Sequence, residues 1–149
     1  MKSAGIKLIA SNKKAHFNYF LSDFIEAGIE LKGTEIKSLR VSGATITDSY
    51  IVVRNNEAEI INMHIKAYEH GNIFNHDPLR NRKLLLHKHQ IRWLAQKIKT
   101  EGYTVVPTKL YFSKGKAKLE IALAKGKKLY DKRETIKKRD IQRELDKGL

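Results

Sequence analysis

Cysteine is missing from all 149 residues. That removes disulfide staples, thiolate-held zinc and thiol nucleophiles together. Long apolar runs are missing too, and no stretch approaches the ~20 apolar residues of a membrane-spanning helix. The first ten residues, Met1 to Ala10, carry no apolar run of signal-peptide length followed by a small-residue cleavage site. The cytosol is therefore the expected compartment, and no membrane is expected as a partner. The chain has no Gly-x-x-x-x-Gly-Lys-Ser/Thr loop to cradle phosphates and no Gly-x-Ser-x-Gly nucleophile elbow. It shows neither an internal repeat nor a heptad run. Acidic residues are few, 16 Asp and Glu against 30 Lys and Arg.

That imbalance gives a formal charge of +14. A basic excess of this size favours nucleic acid as partner, ahead of an anionic membrane surface. The length suits one domain with a real core and is too short for two. Charge is densest at the end: from Lys125 to Leu149 there are ten Lys/Arg against five Asp/Glu, with few large apolar residues. Alone, such a segment cannot offset the entropy of its own ordering. Asp131 followed by Glu134 has capping-box spacing, so a helix can start at Lys132. Ile136, Ile141 and Leu145 are too sparse for a continuous core-facing stripe. The expectation is a conditional helix, formed when a counter-charged partner is present.

The body reads as short strands with a few helices. Phe17, Tyr19 and Leu21 alternate with polar neighbours, predicting a strand from His16 to Leu31 with a bulge or bend near Gly28. Gly33–Arg40 reads as a short helix capped by Thr34 and ended by Gly43. Tyr50–Arg54 and Glu57–Ile65 flank Asn55-Asn56, a pair suited to a two-residue hairpin turn. A long connection, Lys66–Lys83, follows. Ile91, Leu94, Ala95 and Ile98 recur at helical spacing after a start at His87 or Lys88, with Gly102 at C′. Tyr103–Phe112 and Ala117–Ala124 form a second hairpin, and Pro107 marks an edge or bulge. In its second strand Leu119, Ile121 and Leu123 alternate with Lys118, Glu120 and Ala122, predicting one buried face and one exposed. The fold class expected is mainly β (α+β): a small antiparallel OB-type barrel with two or three flanking helices and a basic C-terminal tail. Residues 1–11 are expected as a flexible N-terminus, 12–125 as the barrel and 126–149 as the tail.

One run in this frame is distinctive. Glu26-Ala27-Gly28-Ile29-Glu30-Leu31-Lys32-Gly33-Thr34-Glu35-Ile36-Lys37-Ser38-Leu39-Arg40 resembles the signature of the small protein B (SmpB) family, the protein partners of transfer-messenger RNA in bacterial ribosome rescue. Further matches follow in order at Asp48-Ser49-Tyr50, Asn62-Met63-His64-Ile65, Arg82–His87, Gly102–Pro107, Ala124–Lys128 and Tyr130-Asp131-Lys132-Arg133. The resemblance implies an OB-type barrel that grips the tRNA-like domain of transfer-messenger RNA and enters the A site of a stalled ribosome. Its tail is then expected to dock in the decoding region and the empty mRNA channel.

Implied partners are transfer-messenger RNA, the ribosome and, indirectly, elongation factor Tu on the charged RNA; the protein is expected as a monomer that uses no cofactor. Asn12, His16, Tyr19, Glu26, Leu86 and Lys118 match the family's RNA-contact surface, and Lys125, Lys127 and Lys128 extend it. Tyr130, Asp131, Lys132 and Arg133 match the ribosome-binding tail motif, with Lys137, Lys138 and Arg139 in the same basic run. Tyr130 stands where many relatives carry His, so that position works through ring stacking rather than titration. The tail closes at Leu149, sooner than in longer members.

Residue chemistry agrees with an RNA partner and leaves alternatives. Lys and Arg neutralise phosphates and release counterions. His16, Phe17 and Tyr19 offer rings for unstacked bases; the plain alternative is core for Phe17, and core with a wet hydroxyl for Tyr19. Glu26 reads either as a surface ion pair or as an acceptor for base donors. Lys118 is either solvated or in contact with RNA, and Leu86 reads as core or interface. His87-Lys88-His89, with His64, His70 and His76, lacks the convergent pattern of a zinc site. A His–His–Lys ribonuclease is the enzyme alternative, and a general single-strand-binding OB module is the binding alternative.

Overall fold

Alternating side chains and positive-φ turns shape most of this domain. The computed structural model describes residues 6–68 and 75–127. In order they form β1 (Ile6–Ser11), α1 (Lys13–Asn18), β2 (Tyr19–Ile29), α2 (Gly33–Val41), β3 (Ala44–Thr45), β4 (Tyr50–Arg54) and β5 (Glu57–Ile61). Then come β6 (His64–Ile65), β7 (Arg82–Leu85), α3 (Lys88–Lys99), β8 (Thr104–Ser113) and β9 (Lys116–Gly126). All strand pairs are antiparallel. The sheet order β1-β8-β4-β5-β7-β2-β9 closes on itself through an extra β8–β9 pairing. Among the described residues the class is thus the expected one, mostly β with three helices; the seven-stranded sheet is a closed ring, and β3 and β6 form a separate two-stranded sheet.

Two tight hairpins set the register. Asn55 and Asn56 hold φ of 51° and 60°, the left-handed pair that matches strand twist in a two-residue turn. Lys114 and Gly115 do the same at 53° and 78°. Inward residues of β4, β5, β7, β8 and β9, among them Ile51, Ile60, Leu84, Leu110, Leu119 and Ile121, fill one core. From α3, Ile91 and Leu94 are buried, with Ile98 packed against the same cluster. Gly102, at φ 71°, turns the chain out of that helix toward β8.

Several expectations change. Residues 13–18 are helical: the Asn12 side chain accepts a hydrogen bond from the Ala15 N–H at 3.1 Å and caps α1. Local capping outweighs the alternating pattern there. The bulge in β2 lies between Ser22 and Ile25, where Asp23 takes φ 54°, and not at Gly28. Helix α2 is entered from Lys32; Thr34 does not cap it but pairs its hydroxyl with His76 Nδ1 at 2.9 Å. Ile6–Ser11, expected within a flexible N-terminus, is a strand on β8. Pro107 sits at a bulge and β8 is no edge, since β1, β4 and β9 all pair with it. Ala122 is buried, because Ala124 and Val106 pack under Ala15 of α1 on the opposite side of β9.

The expected long connection ends at Arg82, and its last residues converge on one carboxylate. Glu35 and Arg82 are both 0% exposed as side chains, and Arg82 Nε donates to Glu35 Oε2 at 2.5 Å. Arg80 forks onto both oxygens at 3.0 and 2.7 Å, and the Lys32 N–H donates at 2.7 Å. Arg82 also donates to the Met63 carbonyl at 2.8 Å and the Pro78 carbonyl at 3.2 Å. Burial alone would raise the Glu35 pKa; hydrogen bonds from Arg80 and Lys32 and the Arg82 charge reverse this and hold it below the ordinary value. Burial lowers Arg82, with Glu35 opposing, yet a guanidinium remains charged.

A carboxyl whose folded pKa is depressed contributes stability above the ordinary value of 4.5, and that contribution fades as pH falls through the folded pKa. Glu35→Gln leaves two arginines without their counter-charge and should cost about 3–5 kcal/mol in urea unfolding at neutral pH. It should also flatten the acid limb of the stability curve. A variant as stable as the parent, with the same acid limb, would contradict the assignment.

Candidate nucleic-acid interface

Three of the expected contact residues meet at one groove. Glu26 of β2, Leu86 between β7 and α3, and Lys118 of β9 line a volume of about 640 Å³, together with Lys83, His87 and Gln90. Gly28 makes the geometry possible. It pairs with Leu85 on one side and Lys118 on the other. A Cβ at Gly28 would meet Leu85 Cβ at 3.1 Å, so a larger residue would push β7 and the groove wall away.

Glu26, at the groove, belongs to an acidic pair inside a basic molecule. Glu26 and Glu120 stand directly opposite on β2 and β9. Like charges in that position repel, and each is met by a hydroxyl. Tyr111 donates to Glu26 Oε2, and Thr108 donates to Glu120 Oε2 at 2.6 Å. Burial, the bond to Glu26 and the two carboxylate charges hold the Tyr111 phenol well above its usual pKa, so it stays a donor. At the far wall Lys83 pairs with Glu57 at 2.8 Å, which raises the lysine pKa. The resulting surface offers an exposed carboxylate acceptor, a lysine and an apolar ledge at Leu86. It can accept base amino groups and contact a backbone beside them.

The remaining expected residues lie elsewhere. Between Lys118 and Lys125, β9 runs for about 23 Å, at ~3.3 Å per residue. Asn12 is 1% exposed, its amide donating to the Pro107 carbonyl at 2.9 Å while its oxygen caps α1. It fixes α1 against the ring and does not reach the surface. Tyr19 is half-buried against Ala15, Val106 and Ala124, and lines a polar cleft of about 370 Å³ with Asp48 and Tyr50. His16 is exposed at the end of α1, and its carbonyl accepts from Lys127 Nζ at 3.3 Å. Lys125 lies over the Tyr103 ring at 4.4 Å, and Lys127 over Phe20 at 5.1 Å. Lys128, Tyr130, Asp131, Lys132, Arg133, Lys137, Lys138 and Arg139 fall outside the described residues, as does the expected helix start at Lys132.

Sequence reasoning did not pick out Tyr111, Lys83, Gln90, Tyr103 or Phe20. Tyr111 had a signal in the second hairpin, where register sets it opposite Lys118. Among the described residues no three His, Asp or Glu side chains converge as metal ligands. The His87 and His89 rings instead stack, 5.5 Å apart and 7° from parallel. No helix of the described residues is long and apolar enough to cross a membrane.

These features define a small antiparallel β-ring domain with a basic, ring-bearing surface. The family model for SmpB protein matches residues 9–149. The chain belongs to the SmpB protein family. It is 56% identical to an SsrA-binding protein of Caldicellulosiruptor bescii, over 99% of this chain and 94% of that one. An SsrA-binding protein of Malacoplasma penetrans is 57% identical, over 97% and 99%. A solved structure described as "tmRNA-SmpB: a journey to the center of the bacterial ribosome" superposes with a TM-score of 0.68 at 44% identity, over 83% of this chain and 87% of the other.

Asn12 and Lys118 should separate in mutagenesis. Asn12→Ala removes a helix cap and a buried amide bond and should cost about 2 kcal/mol of stability. Lys118→Ala should leave the thermal midpoint nearly unchanged. Differential scanning of both variants distinguishes the roles; a destabilised Lys118→Ala beside an unaffected Asn12→Ala would reverse them.

Proposed function

We propose that this chain is a non-enzymatic RNA-binding adaptor that holds the tRNA-like domain of transfer-messenger RNA and delivers it to the A site of stalled ribosomes. Family membership, with relatives that bind SsrA RNA, carries the reading. The groove of Glu26, Leu86 and Lys118 supports it, because a carboxylate set among cations suits base edges rather than bare phosphate. In this reading Glu26 accepts from a base and Lys118 contacts backbone. Leu86 packs on a sugar or base face, and Asn12 keeps α1 in place. His16, Tyr19, Lys125 and Lys127 extend the contact along the ring, and Lys128 adds a charge next in sequence. The protein works in the cytoplasm as a monomer.

The segment from 126 to 149 is assigned, on the family resemblance, to the decoding region and vacant mRNA channel. There Tyr130, Asp131, Lys132 and Arg133 start a helix, followed by Lys137, Lys138 and Arg139. Ordering that segment costs free energy that only an empty channel returns, which couples engagement to a stalled ribosome. Elongation factor Tu joins indirectly, on the charged RNA.

A gel-shift series with transfer-messenger RNA, ordinary tRNA and poly-U across salt tests the first half. Preference for the two elbow-shaped RNAs is expected; equal affinity for poly-U would favour a general single-strand binder. Lys118→Ala should lower the slope of log K against log salt by about 0.7–0.9. RNA cleavage abolished by His87→Ala would instead reveal a ribonuclease. Removing the residues after Lys128 tests the second half. RNA affinity should stay nearly intact while peptidyl transfer to the RNA on the ribosome stops, and a large loss of affinity would refute this division of labour.

A further inference from the structure

An aromatic slot opens beside the groove, and the residues assigned so far do not use it. The β2 bulge, with Asp23 at φ 54°, turns Phe24 outward to 51% exposure. Phe24 and Ile25 face His89, Gln90 and Trp93 of α3 across a volume of about 390 Å³. A phenylalanine this open is solvated at a cost unless something covers it. Gln90 lines both the slot and the groove. His87 belongs to the groove and His89 to the slot, and their stacked rings bridge the two. One cation stands at this face: Lys97 lies over the Trp93 ring at 5.7 Å and pairs with Glu101 at 3.1 Å.

We propose that the slot between Phe24 and Trp93 takes one nucleobase splayed out of the RNA held in the adjoining groove. The proposal rests on the RNA-binding reading and extends its contact surface across α3. Three observations select a base over a peptide or a lipid. The slot is continuous with the groove through Gln90 and the histidine pair. Lys97, over the Trp93 ring, puts a cation beside it for a phosphate that flanks the inserted base. Its walls are aromatic, while its rim carries a carboxylate at Asp23 and an amide at Gln90, the groups that read a base edge. A buried apolar peptide anchor would leave those rim groups without partners.

Trp93 is the chain's single tryptophan, so its emission reports on this slot alone. Full-length protein is titrated with the tRNA-like domain, following binding by gel shift and Trp93 fluorescence together. Base stacking should quench the emission in step with binding. Phe24→Ala should weaken affinity about five- to hundred-fold and reduce the quench, with the salt slope unchanged because no phosphate contact is lost. Phe24→Tyr, which keeps the ring, should restore both.

RNA that saturates the protein by gel shift while Trp93 emission stays constant would overturn the slot and leave the groove standing. So would a Phe24→Ala variant, shown folded by its thermal midpoint, that binds as tightly as the parent. Absence of binding by either readout would overturn the RNA reading itself. Quenching by an unrelated apolar peptide but not by RNA would assign the slot to a protein partner.

Discussion

Glu35 is a carboxylate with no access to solvent, and the geometry of the groove follows from how it is satisfied. Two guanidinium groups and a backbone N–H reach it from three directions. Arg82 then uses its remaining donors on the Met63 and Pro78 carbonyls. One charge cluster thereby ties α2, the chain around β6, and the entry to β7. From Arg82 the strand runs on through Lys83, Leu84 and Leu85, which with Leu86 and His87 form one wall of the groove. A buried pair such as this is a weak source of net stability but costly to break. Its effect here is to fix where β7 lies, because neither arginine can slide a residue along without leaving a charge unmatched. A purely apolar contact at the same place would tolerate such a slip.

How much of this was legible in the sequence depends on the range of the determining interaction. The two hairpins were readable because Asn55-Asn56 and Lys114-Gly115 write their own backbone angles. Helix α3 was readable from its apolar spacing. Helix α1 was not, since Phe17 continues the alternation of Tyr19 and Leu21, which do lie in β2, and the deciding term is one hydrogen bond from Ala15 to Asn12. The Glu35 cluster was invisible for a different reason. Its partners lie 45 and 47 residues away, and no local pattern announces them. Strand β1 depends likewise on a distant edge of β8, and its exposed Ile6 and Leu8 give no sign of burial.

The candidate site was legible as a set of residues and not as a shape. Family resemblance proposed six contact positions as one surface. The fold gathers Glu26, Leu86 and Lys118 into a groove, buries Asn12, and leaves His16 and Tyr19 at the other end of the ring. Linear order cannot supply that division, because β2 carries both Tyr19 and Glu26 and only its pairings say what lies beside each. It also hides supporting groups such as Tyr111, whose hydroxyl restrains the Glu26 carboxylate from a strand that is not adjacent to it.

Charge and shape then act at different ranges. A net charge of +14 attracts any RNA, and that attraction is screened within about 8–10 Å at physiological salt. By itself it selects nothing. In the proposed function, the Glu26 carboxylate repels a phosphate at the groove to which the surrounding cations draw it. Only an RNA that turns a donor edge inward while keeping its backbone over the lysines satisfies both terms. In the proposed function, that requirement distinguishes a bent, folded RNA from a featureless strand. Lys125 and Lys127, held over rings at 4.4 and 5.1 Å, are placed in advance and lose less freedom when a backbone arrives. In that proposal the cations supply capture, and the Glu26 carboxylate supplies the penalty for a wrong pose.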